Sequence, residues 1–201
     1  MQKRRTMQMH KIVLATNNKN KLREVRDILE PMGITVLSQQ EAGVNVNPEE
    51  NGATFAANAE IKARAVFEEI GLPVIADDSG LCVDALDGAP GVYSARFAPE
   101  AELCDKLLSV MKDVPDAERT ARFVTDIAWI DENGVLTICE GECAGKIGYE
   151  KRGTNGFGYD PVFMYGERSF AELSMEEKNT VSHRANALKK LYDVLKERYG
   201  E

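Results

Sequence analysis

The sequence has no Cys-x-x-Cys pair and only two histidines, His10 and His183. Without clustered Cys and His ligands, a zinc site lacks support. The four cysteines, Cys82, Cys104, Cys139 and Cys143, are scattered. They read as reduced, largely buried thiols, which fits a cytoplasmic protein. No apolar run reaches the length of a membrane span, so no membrane association is expected. Residues 1–10 are basic but have no apolar segment, which excludes a secretory signal. They read as a disordered leader, with Met7 and Met9 as alternative starts. Basic residues are in the minority, 25 Lys and Arg against 33 Asp and Glu, for a net charge of -8. That argues against a nucleic-acid or anionic-membrane surface while leaving room for a local basic pocket. Neither a repeat nor a low-complexity tract is visible.

What is present suits one folded domain over 11–201. The chain has 201 residues, of which 43% are hydrophobic, enough for a sizeable core. The stretch that organises it is Val74-Ile75-Ala76-Asp77-Asp78-Ser79-Gly80-Leu81, a strand-like run ending in two adjacent acids. Side-by-side carboxylates repel unless a cation or proton lies between them. Hard oxygen ligands of this kind suit Mg²⁺ held together with a substrate phosphate. Asp-Asp-Ser-Gly is equally good metal-free turn chemistry.

Upstream, 11–15 reads as a buried strand, followed by the polar loop Thr16-Asn17-Asn18-Lys19-Asn20-Lys21 and an amphipathic helix with Leu22, Val25, Leu29 and Met32 on one face. Strand, polar loop and helix together point N–H groups at an anion. This is no Walker loop, because its glycines and Gly-Lys-Ser/Thr ending are missing. A solvated basic helix start is the alternative. A second strand spans 34–37, and Thr54 caps a helix carrying Phe55, Ala59, Ala63, Val66 and Ile70. Glu49 and Glu50 precede that helix, where acids favour its dipole or complete a cation site with Asp77 and Asp78.

Leu81-Cys82-Val83 reads as another short strand, and Ser94 and Arg96 place a small residue and a guanidinium near the same point. A helix is expected over 99–111 and a hairpin around Asn133-Gly134. The Ile/Val/Trp-rich hairpin strands read as core, with a dimer contact as the other use. Gly153, Gly156 and Gly158 make a loop that can approach a ligand closely, and Phe157 on it can stack on a base. Ser174 caps a short helical turn through Glu177, Lys178 stands in a polar connector, and Ser182-His183-Arg184 opens the last helix. Cations at a helix start oppose the dipole, so His183 and Arg184 point to a hydrogen-bonding task. Early alternation of strands and helices followed by hairpin strands predicts an α/β fold: a mixed sheet in two lobes with a cleft between them.

Six segments in order resemble the inosine triphosphate pyrophosphatase family: Leu14-Ala15-Thr16-Asn17-Asn18 with Lys21; 49–55 with Asn58-Ala59 and Lys62-Ala63; 76–81; 88–96; Gly156-Phe157-Gly158-Tyr159-Asp160-Pro161; and Glu177-Lys178 with Ser182-His183-Arg184. Asn17 departs from the family's usual Gly. The resemblance implies a long mixed sheet flanked by helices with a central substrate cleft, a homodimer, and Mg²⁺-dependent hydrolysis of ITP, dITP and XTP to the monophosphate and pyrophosphate. It assigns Asp78 as proton acceptor, with Glu49, Glu50, Asp77 and Asp78 at the metal. Substrate would be bound by Thr16, Asn17, Asn18, Lys19, Asn20, Lys21, Ser79, Phe157, Gly158, Tyr159, Asp160, Lys178, His183 and Arg184. The alternatives are a pyrophosphatase of another modified or pyrimidine nucleotide, and a nucleotide-binding sensor without chemistry.

Overall fold

A computed structural model describes residues 10–199. The expected disordered leader lies, over residues 1–9, outside the described residues; His10 already opens the first strand. The fold is mixed α/β. Seven strands form one sheet in the order β2-β1-β3-β4-β5-β6-β7. β1 (His10–Leu14) runs parallel to β2 (Ile34–Ser38) and β3 (Val74–Val83). β4 (Thr120–Ile130), β5 (Leu136–Ile147), β6 (Phe163–Tyr165) and β7 (Arg168–Ser169) continue antiparallel.

The chain steps from β1 through α1 (Lys19–Leu29) to β2, then back across β1 through α2 (Phe55–Ile70) to β3. Crossovers of one hand in opposite directions put the two helices on opposite faces of the sheet. The crevice past the end of β1, where strand order reverses, is where open α/β sheets bind ligands. One face packs Ile12, Leu14, Ile75, Ile127 and Trp129 under α1 and α5 (His183–Tyr199). The other packs Val13, Ala15, Val74, Ala76 and Ala128 under α2. A second lobe gathers Leu81, Val83, Phe123, Phe163 and Phe170 with α3 (Leu103–Val110). Trp129 is buried in the first of these cores, as the core reading of the hairpin expects.

Three local expectations are corrected. Asp77 to Gly80 is not a turn but the middle of a ten-residue strand. β4 pairs with β3 along its whole length, from Val74↔Ile130 to Val83↔Ala121, and this pairing overrides the turn-like composition. Lys19, Asn20 and Lys21 form the first turn of α1 rather than a loop, because the Asn18 side chain caps the helix there. Lys178 lies within α4 (Met175–Val181), not in a connector; a Ser174–Glu177 capping box starts that helix. The hairpin forms where expected: Asp131 Oδ1 accepts from the N–H groups of Asn133 and Val135, both at 2.8 Å, and Gly134 has φ 78°.

Candidate active site

β1 pairs with β3 only as far as Leu14↔Ile75, so beyond that point one edge of β3 opens into a cleft of about 530 Å³. Successive side chains on β3 point to opposite faces. Asp77 and Ser79 therefore fall on the α1/α5 side with Ile75, while Asp78 and Gly80 fall on the α2 side with Ala76. The adjacent acids are thereby separated into two different environments.

On the α1/α5 side lies a buried charge network. Asp77 Oδ2 meets Lys21 at 3.0 Å and accepts from Arg184 Nη2 at 3.0 Å and from Ser79 Oγ at 3.2 Å. Arg184 also donates to Glu24 and, at 3.1 Å, to Ser79 Oγ. Lys178 donates to Glu24 at 3.0 Å and to Asp160 at 2.6 Å. Burial alone pushes the Asp77 carboxyl up, but Lys21 and Arg184 outweigh it and hold the group well below its usual range. Glu24 behaves alike: burial raises it, and Arg184 with Lys178 brings it below the ordinary value. Burial lowers the Lys21 pKa despite Asp77 beside it.

Glu24 escaped the sequence reading. Its signal was an acid one position before Val25, on the stripe of α1 that faces the core.

On the α2 side, Lys62 Nζ donates to Glu50 at 2.8 Å and to Asp78 Oδ1 at 3.2 Å. Asn58 Nδ2 donates to Asp78 Oδ2 at 3.2 Å, and Asn58 Oδ1 accepts from Gly52 N at 2.8 Å. Asn58 and Lys62 lie one helical turn apart on α2, which puts both on one face. The motifs quoted from the sequence contain them, but only the structure gives them a task. Burial raises the Asp78 pKa against the pull of Lys62 and Lys21, which makes it a stronger proton acceptor.

The four acids considered for a metal do not form one group. Glu49 is exposed and does not line the cleft, and Asp77 is engaged on the other face. Among the described residues, no three His, Cys, Asp or Glu side chains come together to hold a metal ion. Glu50 and Asp78 do converge on one ammonium, that of Lys62. Two carboxylates aimed at one cation fit Mg²⁺, which takes its remaining positions from phosphate and water.

On the glycine-aromatic loop, Gly156 (φ 73°) disfavours any side chain, since its backbone is left-handed and a Cβ there would lie 2.0 Å from Asp160 Oδ2. Asp160 accepts the Phe157 N–H at 2.9 Å, and Lys178 sits 4.9 Å from the centre of the Phe157 ring. Tyr159 is buried and donates its hydroxyl to the Ser94 carbonyl at 2.8 Å. His183 stacks on Phe123 with centroids 4.8 Å apart, and its buried Nδ1 has no partner. Burial, then Arg184 and Lys178, lowers its pKa well below 6.5, so the imidazole is neutral and does not oppose the α5 dipole.

One cleft thus collects Thr16, Asn17, Asn18, Lys21, Glu50, Asp78, Ser79, Phe157, Gly158, Tyr159, Asp160, Lys178, His183 and Arg184. Lys19, Asn20, Glu49 and Asp77 do not line it.

A family model described as the Ham1 family matches residues 12–194. The chain belongs to the Ham1 family. Among similar proteins, a dITP/XTP pyrophosphatase of Desulforamulus reducens is 50% identical over 195 residues, covering 94% of this chain and 97% of the relative. A dITP/XTP pyrophosphatase of Haemophilus influenzae is 48% identical, covering 92% and 98%. The Ham1 fold is equally plain: the structure of a HAM1 protein from Coxiella burnetii matches with TM-score 0.84 at 44% identity, over 94% of this chain and all of that one (100%). The Staphylococcus aureus Ham1 protein matches with TM-score 0.82 at 36% identity, over 94% and 99%. The family resemblance carried by the sequence motifs therefore extends to the whole Ham1 architecture. No helix among the described residues is long and apolar enough to cross a membrane.

Proposed function

We propose that this chain is a cytoplasmic nucleoside triphosphate pyrophosphatase that removes ITP, dITP and XTP from the nucleotide pool, as a homodimer over one catalytic domain. The observation that supports it most is the convergence of Glu50, Asp78, Lys178 and His183, from distant segments, on one cleft at the strand-order reversal. The names of the relatives point the same way.

Water attacks the α-phosphorus, and its oxygen forms the new bond to phosphorus. Asp78 takes the water's proton, and the bond from the α-phosphorus to the bridging oxygen breaks, releasing pyrophosphate. The raised pKa of Asp78 suits that role. Mg²⁺ held at Glu50 and Asp78 would supply charge neutralisation on the phosphates. Lys21 balances charge on the phosphate chain beside Thr16 to Asn18.

The base lies toward Phe157 and His183. A 6-oxo purine gives the unpartnered Nδ1 of His183, carrying its proton, an oxygen to donate to, where adenine would present a second donor. Mismatched buried donors make such a site selective. Arg184, already bound to Asp77, Glu24 and Ser79, holds this region in shape rather than reading the base.

The test is Mg²⁺-dependent pyrophosphate release from ITP, XTP, GTP, ATP and dTTP. ITP and XTP are expected to be preferred; equal efficiency on ATP overturns the selectivity, and preference for dTTP moves the protein to a pyrimidine substrate. Asp78→Asn is expected to lose turnover by about 10²–10⁴-fold while keeping substrate affinity.

A further inference from the structure

The cations lining the cleft are Lys21, Lys62, Lys178, Arg184 and Arg96. The first four are each tied to carboxylates: Lys21 to Asp77, Lys62 to Glu50 and Asp78, Lys178 to Glu24 and Asp160, and Arg184 to Asp77 and Glu24. These four face five carboxylates, so without Arg96 the group is net negative, a poor receptor for a polyphosphate. Arg96 is exposed and has no carboxylate partner among the described residues; its guanidinium lies 5.4 Å from the Tyr93 ring centre.

The backbone that carries Arg96 is fastened beside Asp78. Gly80, on the same face of β3 as Asp78, abuts the 3₁₀ turn Gly91–Arg96, and a Cβ there would lie 2.3 Å from Gly91 O and 2.6 Å from Ser94 Oγ. Ser94 Oγ accepts from Leu81 N at 2.9 Å and donates to Gly91 O at 2.7 Å, and the Ser94 carbonyl accepts from Tyr159. A turn fastened to β3 next to Asp78 therefore presents an uncommitted guanidinium to the cleft that Thr16 and Lys21 also line.

We propose that Arg96 binds the terminal phosphates of the substrate and holds the pyrophosphate leaving group, resting on the function proposed above. A guanidinium matches phosphate oxygens through paired hydrogen bonds, and this one gives up no ion pair to do so. The nucleoside monophosphate end of the substrate does not need it.

The experiment is calorimetric binding of tripolyphosphate and of IMP to the parent, Arg96→Gln and Arg96→Lys, beside the KM for ITP. Arg96→Gln is expected to weaken tripolyphosphate binding and raise KM by about ten- to a hundredfold, the scale of a hydrogen bond to a charged group. IMP affinity and the thermal midpoint should stay at parent values, and Arg96→Lys should recover part of the loss. Tripolyphosphate affinity unchanged in Arg96→Gln, absent in the parent, or lost in parallel with IMP affinity overturns the proposal. If the parent releases no pyrophosphate from ITP or XTP but Arg96→Gln still loses tripolyphosphate, the catalytic reading fails and the phosphate site stands.

Discussion

Asp77 and Asp78 are neighbours of one residue type with opposite fates. Asp77 is buried among Lys21, Arg184 and Ser79 and stays ionised, while Asp78 faces the cleft with a raised pKa. The difference is the strand's twofold alternation, which gives each acid its own set of neighbours. His183 shows the same dependence on surroundings. Its neutral state comes from burial beside two cations, so substrate binding should not follow its titration. The KM for ITP is expected to show no inflection at 6.5, and an inflection there that vanishes in His183→Gln would contradict the burial argument. In linkage terms, a histidine whose folded pKa is depressed destabilises the fold as pH drops below 6.5, because only the unfolded chain then takes up the proton freely.

Elements place these residues through close contacts of backbone. α5 lies directly on β5 at Gly141: a Cβ there would sit 2.2 Å from His183 O and 2.4 Å from Ala187 N. Gly141→Ala must push the first turn of α5 off the sheet, moving His183 and Arg184 together. Loss of thermal stability with a raised KM for ITP is expected, and a variant with parent KM and parent midpoint would refute the contact's role. Several ends of elements were legible in the sequence. Thr54 caps α2, Ser174 caps α4, and Asn133-Gly134 turns the hairpin as composition predicts. The Asp-Asp-Ser-Gly stretch was not, because turn-forming residues were held straight by a partner strand more than forty positions away, Asp78 opposite Asp126. Lys178 misled likewise: a lysine reads as solvated, yet it is only 3% exposed.

At the scale of the molecule, Lys178 joins parts that the chain keeps far apart. It links Glu24 on α1 to Asp160 on the aromatic loop, bridging 154 positions in one direction and 18 in the other. A buried pair broken on one side leaves an uncompensated charge, typically costing about 3–5 kcal/mol. Lys178→Met keeps the length of the side chain and removes its charge. Burial already raises the Asp160 pKa, and Lys178 is the main effect opposing it. In the variant that pKa rises further, so the folded state gains stability as pH falls and loses it as pH rises through the folded value. The variant is expected to be destabilised at neutral pH and to recover part of the deficit on acidification, as followed by denaturant unfolding at a series of pH values. A deficit independent of pH would place the loss in packing rather than charge.

The sequence by itself determined most helix caps and the hairpin turn, which segments carry polar residues there, and which family they resemble. Capping, turn chemistry and hydrophobic period act over a few residues and are written locally. Only the tertiary structure decided which face each acid takes, that Glu24 and Asn58 belong to the site, and that Arg96 is its cleft cation without a carboxylate partner among the described residues. Burial and ion pairing depend on groups brought together from distant parts of the chain, and no local pattern encodes them.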